Sequence, residues 1–233
     1  DLDAGAKPGL EITRYTASDS FRSIVLPLAP EQWSYGSVLW EDESQNKCFY
    51  VPSNSLDMGS FLYWWNNILL TPKQNEVIQA LRLIEPGLED IALKSGNGEK
   101  SGVFVAKLHG YNAPVPLTSL GEGMLRLLRM AIGIVSAKDD ILCIDEFENG
   151  LHYSTQEKIW TFMLDIAEKY NVQVFAKTHS SDCIDSFQRA INECHNPEIG
   201  QLIRLKDRQG GISATLFDAH ELSMISSGSL EVR

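Results

Sequence analysis

The sequence contains no long hydrophobic run. A membrane-spanning helix needs about 20 consecutive apolar residues, and no stretch of this chain approaches that length. The N-terminal residues DLDAGAKPGLEIT lack the basic region and the apolar core of a secretory signal peptide. We therefore expect a cytoplasmic protein with no membrane segment. Because no initiator Met is present, we also expect Asp1 to lie inside a longer natural protein.

Cysteine and positive charge are both scarce. The four cysteines, Cys48, Cys143, Cys183 and Cys194, show no CxxC pair or other metal-ligand spacing, as expected for free thiols in a reducing compartment. The 20 Lys and Arg residues are outnumbered by 31 Asp and Glu, which gives a net charge of −11. This charge argues against a broad nucleic-acid surface, so we expect any link to nucleic acid to be indirect.

The sequence also lacks a complete phosphate-binding loop of the form G-x-x-x-x-G-K-[ST]. The nearest stretch is SGNGEKSG at residues 95–102. When Lys100-Ser101 is aligned to the end of the motif, Glu99 and Lys94 occupy the two glycine positions, and the GVFVAKL that follows is strand-like rather than helical. We interpret the octet as the turn of a β-hairpin, in which Asn97-Gly98 supplies the positive φ of a tight turn.

What the chain does contain is an alternation of short apolar strands with helices. The hydrophobic fraction of 43% and the charged fraction of 22% are ordinary for a globular protein. From Thr118 onward the pattern predicts helices at 120–137 and 153–170 and from 181, with strands at 140–145 and 172–177 and two closing strands. This alternation indicates an α/β fold with a parallel sheet. We expect a strand-rich and helical lobe at 1–116 and a doubly wound lobe at 117–233.

Two adjacent acids follow one of these strands in DDILCIDEFENGLH, residues 139–152. The apolar run 141–144 leads directly into Asp145 and Glu146, and the carboxyl ends of parallel strands open onto the ligand crevice. Asp145 suits a Mg²⁺ ion carried by a nucleotide, and Glu146 suits the orientation or deprotonation of an attacking water. The alternative interpretation is that two acids simply end a strand at the surface.

A second candidate segment is SLGEG, at the start of the helix predicted over 120–137. Its Ser119, Gly121, Glu122 and Gly123 would present backbone N–H groups and the positive end of the helix dipole to a phosphate. The alternative is an ordinary Ser N-cap in which Glu122 completes a capping box.

The third candidate is His179 in VFAKTHS, just after the strand that follows the Asp-Glu strand. At that position an imidazole can hydrogen-bond a terminal phosphate, although a lone histidine is more often structural.

Taken in this order, the motifs resemble those of ABC-type ATPase heads of the P-loop NTPase class. Within that class the chain is similar to ATPases related to the OLD (overcoming lysogenization defect) family and to SMC-like DNA-repair heads. Ser119 to Glu122 resembles the ABC signature and ILCIDE resembles Walker B with its catalytic glutamate. ENGLH, ending in His152, lies where the D-loop would be, and His179 matches the switch histidine.

The resemblance implies an ATPase that uses ATP and Mg²⁺ and works as a dimer or higher oligomer of heads. Ser119 and Gly121 would touch the γ-phosphate of the partner head, while Asp145, Glu146 and His179 would serve the nucleotide of their own head. The family's Walker A is absent, so it would come from an upstream segment or from another chain, and this chain alone would be inactive. A nuclease partner in antiphage defence or DNA repair is a further implication.

Two other functions remain open from the sequence. The chain could be a non-catalytic nucleotide-sensing or scaffold module of a larger complex; a transporter ATPase is disfavoured by the S-x-G-E signature.

Two pairs of residues carry weaker expectations. Trp64 and Trp65 are expected to pack in the core, and Arg126 and Arg129 are expected to contact phosphate or the partner head, or to lie on a solvated face.

Overall fold

The computed structural model describes residues 9–15, 21–27, 48–53, 58–95, 102–208, 211–218 and 221–222. The strands are β1 (Gly9–Tyr15), β2 (Phe21–Pro27), β3 (Cys48–Val51), β4 (Leu88–Ser95), β5 (Gly102–Leu108), β6 (Val115–Pro116), β7 (Ile141–Ile144), β8 (Gln173–Ala176), β9 (Leu202–Arg208) and β10 (Gly211–Phe217). The helices are α1 (Met58–Ile68), α2 (Pro72–Arg82), α3 (Glu122–Ser136), α4 (Tyr153–Tyr170) and α5 (Ser181–Glu193), with 3-10 turns at Leu117–Leu120 and Pro197–Ile199.

A parallel sheet with strand order β3-β7-β8 forms the centre of the fold. Ile144 of β7 is in register with Val51 of β3 and Ala176 of β8, so the three strands end at one edge. The connection from β7 to β8 passes through α4, as parallel pairing requires. These observations confirm the predicted α/β fold with a parallel sheet and helices. The sheet takes β3 from before residue 116 and β7 and β8 from after it, and the two-lobe division stays a prediction.

Helix α3 packs against one face of this sheet and is the most deeply buried element. Apolar side chains surround it on nearly all sides, and Leu142 of β7 is fully buried beneath it. A Cβ atom on Gly133 would lie 3.1 Å from Val51 and 3.2 Å from Leu142, so the glycine allows the helix to approach the strands closely. The core continues through α1, where Trp64 and Trp65 are buried as predicted.

An antiparallel sheet with strand order β4-β5-β6 lies next in the chain. Ser95 pairs with Gly102 at the end of the β4–β5 ladder. The predicted hairpin is therefore confirmed at the level of its two strands. Asn97 and Gly98, to which we assigned the turn, lie outside the described residues.

The two closing strands were predicted without an assigned partner. In the structure β9 and β10 pair antiparallel with each other in a sheet of their own. Only two residues separate β9 from β10, and a parallel pair would need a crossover of a dozen or more residues. None of the helices within the ranges given above combines the length and the apolar character that crossing a membrane requires.

Candidate active site

The two acids predicted to be functional lie directly after β7. The N–H of Asp145 donates to the carbonyl of Val51 (3.0 Å), which extends the pairing of β3 and β7 by one residue. Glu146 then adopts a left-handed backbone conformation with φ of +49°, which ends the strand abruptly. A non-glycine residue in this region is uncommon, and such conformations cluster at ligand sites and switch regions.

The chain after β8 runs beside these acids. The N–H of Lys177 donates to the carbonyl of Ile144 (2.8 Å), and the carbonyl of Lys177 accepts from the N–H of Phe147 (3.0 Å). His179 follows two residues later and is exposed. The structure thus brings the segments that carry Asp145, Glu146 and His179 to one edge of the sheet, and the chemical roles of the three side chains stay predictions.

An open cavity of about 350 Å³ lies at this edge. Its lining comes from all three parallel strands and includes Asp145, Lys177 and the partly exposed aromatic rings of Tyr50 and Phe175. Cys143 also lines it, with its Sγ 3.5 Å from that of Cys48; both thiols are free. The cavity lining therefore combines apolar and aromatic side chains with the charged side chains of Asp145 and Lys177.

Lys177 occupies the position in front of the Asp145 carboxylate. Its Nζ lies 2.9 Å from Oδ1, and this hydrogen bond is the main reason that the pKa of Lys177 is raised above its usual value. A cation therefore already sits at the carboxylate to which we assigned Mg²⁺. In the described part of the chain no three His, Cys, Asp or Glu side chains converge on a common metal position. One carboxylate fits a Mg²⁺ ion that takes its other ligands from phosphate and water.

Arg126 of α3 binds the main-chain carbonyls of the two acids, a contact that the sequence did not predict. Only 3% of it is exposed, which contradicts the expectation of a solvated face or a phosphate contact. Its guanidinium donates to three main-chain carbonyls, those of Pro52 (2.5 Å), Asp145 (2.5 Å) and Glu146 (2.9 Å). Burial lowers the pKa of Arg126. The sequence did contain a signal, since this arginine stands within a helix that is otherwise apolar on nearly all sides.

The start of α3 differs from the capping-box alternative. Gly121 is the N-cap residue, with φ of +99°, and no side chain caps the helix. The preceding 3-10 turn directs the Ser119 hydroxyl backwards, where it donates to the carbonyl of Pro116 (2.6 Å). The Ser N-cap is therefore wrong. Ser119, Gly121 and Glu122 are exposed, so their accessibility is compatible with the predicted phosphate contact.

The start of α3 also touches the loop that carries the acids. A Cβ atom on Gly123 would lie 2.5 Å from the carbonyl oxygen of Gly150, which real structures do not tolerate. Gly123, the remaining member of the predicted phosphate-binding set, is partly buried at this contact. Its glycine is thus required for packing, and this requirement is independent of any role in binding.

Comparison with known proteins identifies relatives of the chain. A family model described as "AAA domain, putative AbiEii toxin, Type IV TA system" matches residues 14–185. A curated protein of Helicobacter pylori (strain ATCC 700392 / 26695), named ATP/GTP phosphatase, is 26% identical over 123 residues. The match covers 52% of this chain and 32% of that protein, so the chain spans about a third of the length of this relative.

Solved structures of SMC heads have a remote likeness to the chain. One comes from work on ATP-driven dimerization and DNA-stimulated activation of SMC ATPases; it is 11% identical, with a TM-score of 0.47, and the match covers 74% of this chain and 96% of that one. Another is the Smc head domain of Pyrococcus furiosus bound to the C-terminal domain of ScpA. It is 13% identical with a TM-score of 0.44, and the match covers 73% of this chain and 39% of that one.

Proposed function

The chain belongs to the family described as AAA domain, putative AbiEii toxin, Type IV TA system, and from that premise we propose that it is the C-terminal portion of an ABC-type ATPase. The matched residues, 14–185, include every candidate site residue. In this proposal the portion binds ATP and Mg²⁺ and hydrolyses ATP where two heads meet. The name of the Helicobacter pylori relative, an ATP/GTP phosphatase, is consistent with this chemistry.

The observation that carries the proposal is the juxtaposition at the ends of β7 and β8. Asp145 and Glu146 follow one strand, and Lys177 and His179 follow its parallel neighbour, with main-chain hydrogen bonds joining the two segments. Carboxylates and an imidazole at the carboxyl edge of a parallel sheet are suited to phosphoryl transfer, in which the protein mainly positions groups and stabilises charge.

Each residue has a specific role in this proposal. Asp145 would hold Mg²⁺, which when bound neutralises negative charge on the phosphates. Glu146 would orient the attacking water and accept its proton. His179 would donate a hydrogen bond to the terminal phosphate. The main-chain N–H groups after Ser119 and Gly121, with Glu122 and Gly123 beside them, would contact the γ-phosphate held by the partner head.

The proposal requires a phosphate cradle that this chain does not carry, because the octet at 95–102 fails the loop motif. We place the cradle in an upstream segment or on another chain, so this chain alone should not hydrolyse ATP. Besides the chain or segment that carries the cradle, the proposed partners are a second ATPase head and a nuclease or other nucleic-acid-directed effector. The proposed location is the cytoplasm. The net charge of −11 favours an indirect link to nucleic acid.

The missing loop also supports a second candidate, a non-catalytic module that senses nucleotide or serves as a scaffold. The two candidates differ in a simple measurement. ATP binding and ATP turnover can be measured for this chain alone and for the chain joined to the proposed cradle-bearing segment or chain. If the ATPase proposal holds, both should be detected only for the joined protein. Binding without turnover in the joined protein would favour the sensing module.

The role of Glu146 provides the sharper test. In the joined protein, Glu146→Gln should abolish turnover while ATP still binds, because the amide cannot accept the proton of water. Glu157→Gln is the matched control, since Glu157 pairs with Arg189 on the exposed surface between α4 and α5 and should leave turnover unchanged. Undiminished turnover in Glu146→Gln would refute the assignment of the base.

A further inference from the structure

Glu148 connects the loop that carries the acids to the loop that carries the histidine. It lies between β7 and α4, and its carboxylate reaches the segment between β8 and α5. Oε2 accepts from the hydroxyl of Thr178 (2.7 Å) and Oε1 accepts from the main-chain N–H of His179 (3.3 Å). Two oxygens of one side chain thus hold two consecutive residues of the neighbouring loop.

The hydrogen bonds continue from Thr178 into α5. The N–H of Ser180 donates to the Thr178 hydroxyl oxygen (3.0 Å), and the Ser180 hydroxyl caps the helix by accepting from the N–H of Cys183 (3.3 Å). Cys183 is itself fully buried. The segment from 178 to 180 is therefore fixed at one end by the core of α5 and at the other by Glu148.

The loop on the Glu148 side has its own support. The ring of Phe147 is fully buried and stacks on Trp160 of α4, with centroids 3.6 Å apart and planes within 2°. The carbonyl of Glu148 accepts from the N–H of Leu151 (2.9 Å). Glu148 therefore projects from a loop that is anchored to the core immediately before it.

We propose, on the basis of the ATPase function proposed above, that Glu148 is a positioning residue that sets His179 relative to Asp145 and Glu146. In this proposal Glu148 itself touches neither nucleotide nor metal, since each of its two oxygens accepts a hydrogen bond from the histidine loop and thereby faces that loop. A displacement of about 1 Å can reduce the rate of a positioned reaction by about a hundredfold. We call the contact of Glu148 with Thr178 and His179 the clamp. It should consequently affect the rate of the chemical step more than the affinity for ATP.

The test uses the chain together with the segment or chain that we propose carries the phosphate cradle, and it measures kcat, KM for ATP, Mg²⁺ dependence and amide hydrogen exchange. Glu148→Ala should lower kcat by about 10- to 100-fold while KM stays within about twofold. Glu148→Gln keeps one acceptor oxygen for the Thr178 hydroxyl and should fall between Glu148→Ala and the unmodified protein. Thr178→Val should also lower kcat, and combining it with Glu148→Ala should add little, since both variants remove the hydrogen bond between Glu148 and the Thr178 hydroxyl. Glu157→Gln is the matched control and should leave kcat unchanged.

Hydrogen exchange separates this inference from the ATPase proposal. The amides of residues 178–180 should exchange at least about tenfold faster in Glu148→Ala and in Thr178→Val than in Glu157→Gln, whether or not the protein hydrolyses ATP. If the unmodified protein has no ATPase activity, the proposed function fails and the exchange rates alone decide whether the clamp exists. Unchanged exchange, or a kcat within twofold of the unmodified protein in Glu148→Ala, would overturn the inference. A loss of activity that high Mg²⁺ restores would also overturn it, because Glu148 would then be a metal ligand.

Discussion

Replacement of Arg126 by methionine should destabilise the protein by about 1–5 kcal/mol. Each hydrogen bond from a charged group contributes about 1.5–3 kcal/mol. The carbonyl of Glu146 keeps a second donor, the N–H of Asn149 (3.0 Å), so the loss falls mainly on the carbonyls of Pro52 and Asp145 and amounts to about 3–6 kcal/mol. Methionine avoids the desolvation cost of burying a cation, and this offsets about 1–2 kcal/mol of the lost stability. The difference is the expected destabilisation.

The assay is urea unfolding followed by circular dichroism, with Arg189→Met as the matched control. Arg189 forms a partly exposed pair with Glu157, so its replacement should cost less than about 1 kcal/mol. Arg126→Lys should lie between the two, because a lysine keeps the charge but reaches fewer of the carbonyls. An unfolding free energy of Arg126→Met within about 0.5 kcal/mol of the unmodified chain would refute the claim that this arginine holds the loop.

Three further predictions concern packing and a buried thiol. Gly123→Ala should lower the melting temperature, with a net cost of about 1–2 kcal/mol, because the overlap with the Gly150 carbonyl outweighs the gain in helix propensity. Trp160→Ala should cost about 3–5 kcal/mol in urea unfolding, since it removes the ring stacked on Phe147. Burial raises the pKa of Cys183 to about 11, so iodoacetamide should label this thiol at pH 8.5 only after unfolding. Because the folded pKa exceeds the unfolded one, the thiol's contribution to stability should decline as pH rises from about 9 to about 11.

Each of these predictions has a result that would contradict it. An unchanged melting temperature in Gly123→Ala would mean that the loop at Gly150 moves away from the added methyl group without a loss of stability. A loss below about 1 kcal/mol in Trp160→Ala would show that the stacked pair is not part of the core. Cys183→Ala is the control for the thiol, because it should remove that decline in stability between about pH 9 and about pH 11. Labelling of Cys183 in the folded chain at pH 8.5 would contradict its burial.

Much of the fold could be read from the sequence because its signals are local. The apolar run 141–144 predicted the strand β7, and α4 was predicted over the residues that form it. The start of α2 carries an equally local signal, because Thr71 is its N-cap residue and Pro72 its first helical residue. Local periodicity depends on neighbouring residues and therefore survives in a single sequence.

The parts that the sequence did not predict depend on contacts between distant residues. Arg126 reaches Pro52 across 74 positions, and Glu148 reaches Thr178 across 30, so no local pattern marks either contact. The close approach of Gly123 to Gly150 is likewise visible only in three dimensions. The sequence predicted β9 and β10 as strands, and their antiparallel pairing is consistent with the two residues between them, which are too few for a parallel crossover.

The position of the metal ion tests the central claim most directly. Crystals of the chain together with the segment or chain that we propose carries the phosphate cradle should be grown with Mn²⁺ and a non-hydrolysable ATP analogue, and the ion located by anomalous scattering. We predict a peak beside the carboxylate of Asp145, either about 2.1 Å away or one water molecule removed. Lys177 should have left that carboxylate, and Glu146 and His179 should flank the terminal phosphate. A peak at another surface, with the hydrogen bond between Asp145 and Lys177 intact, would contradict the account.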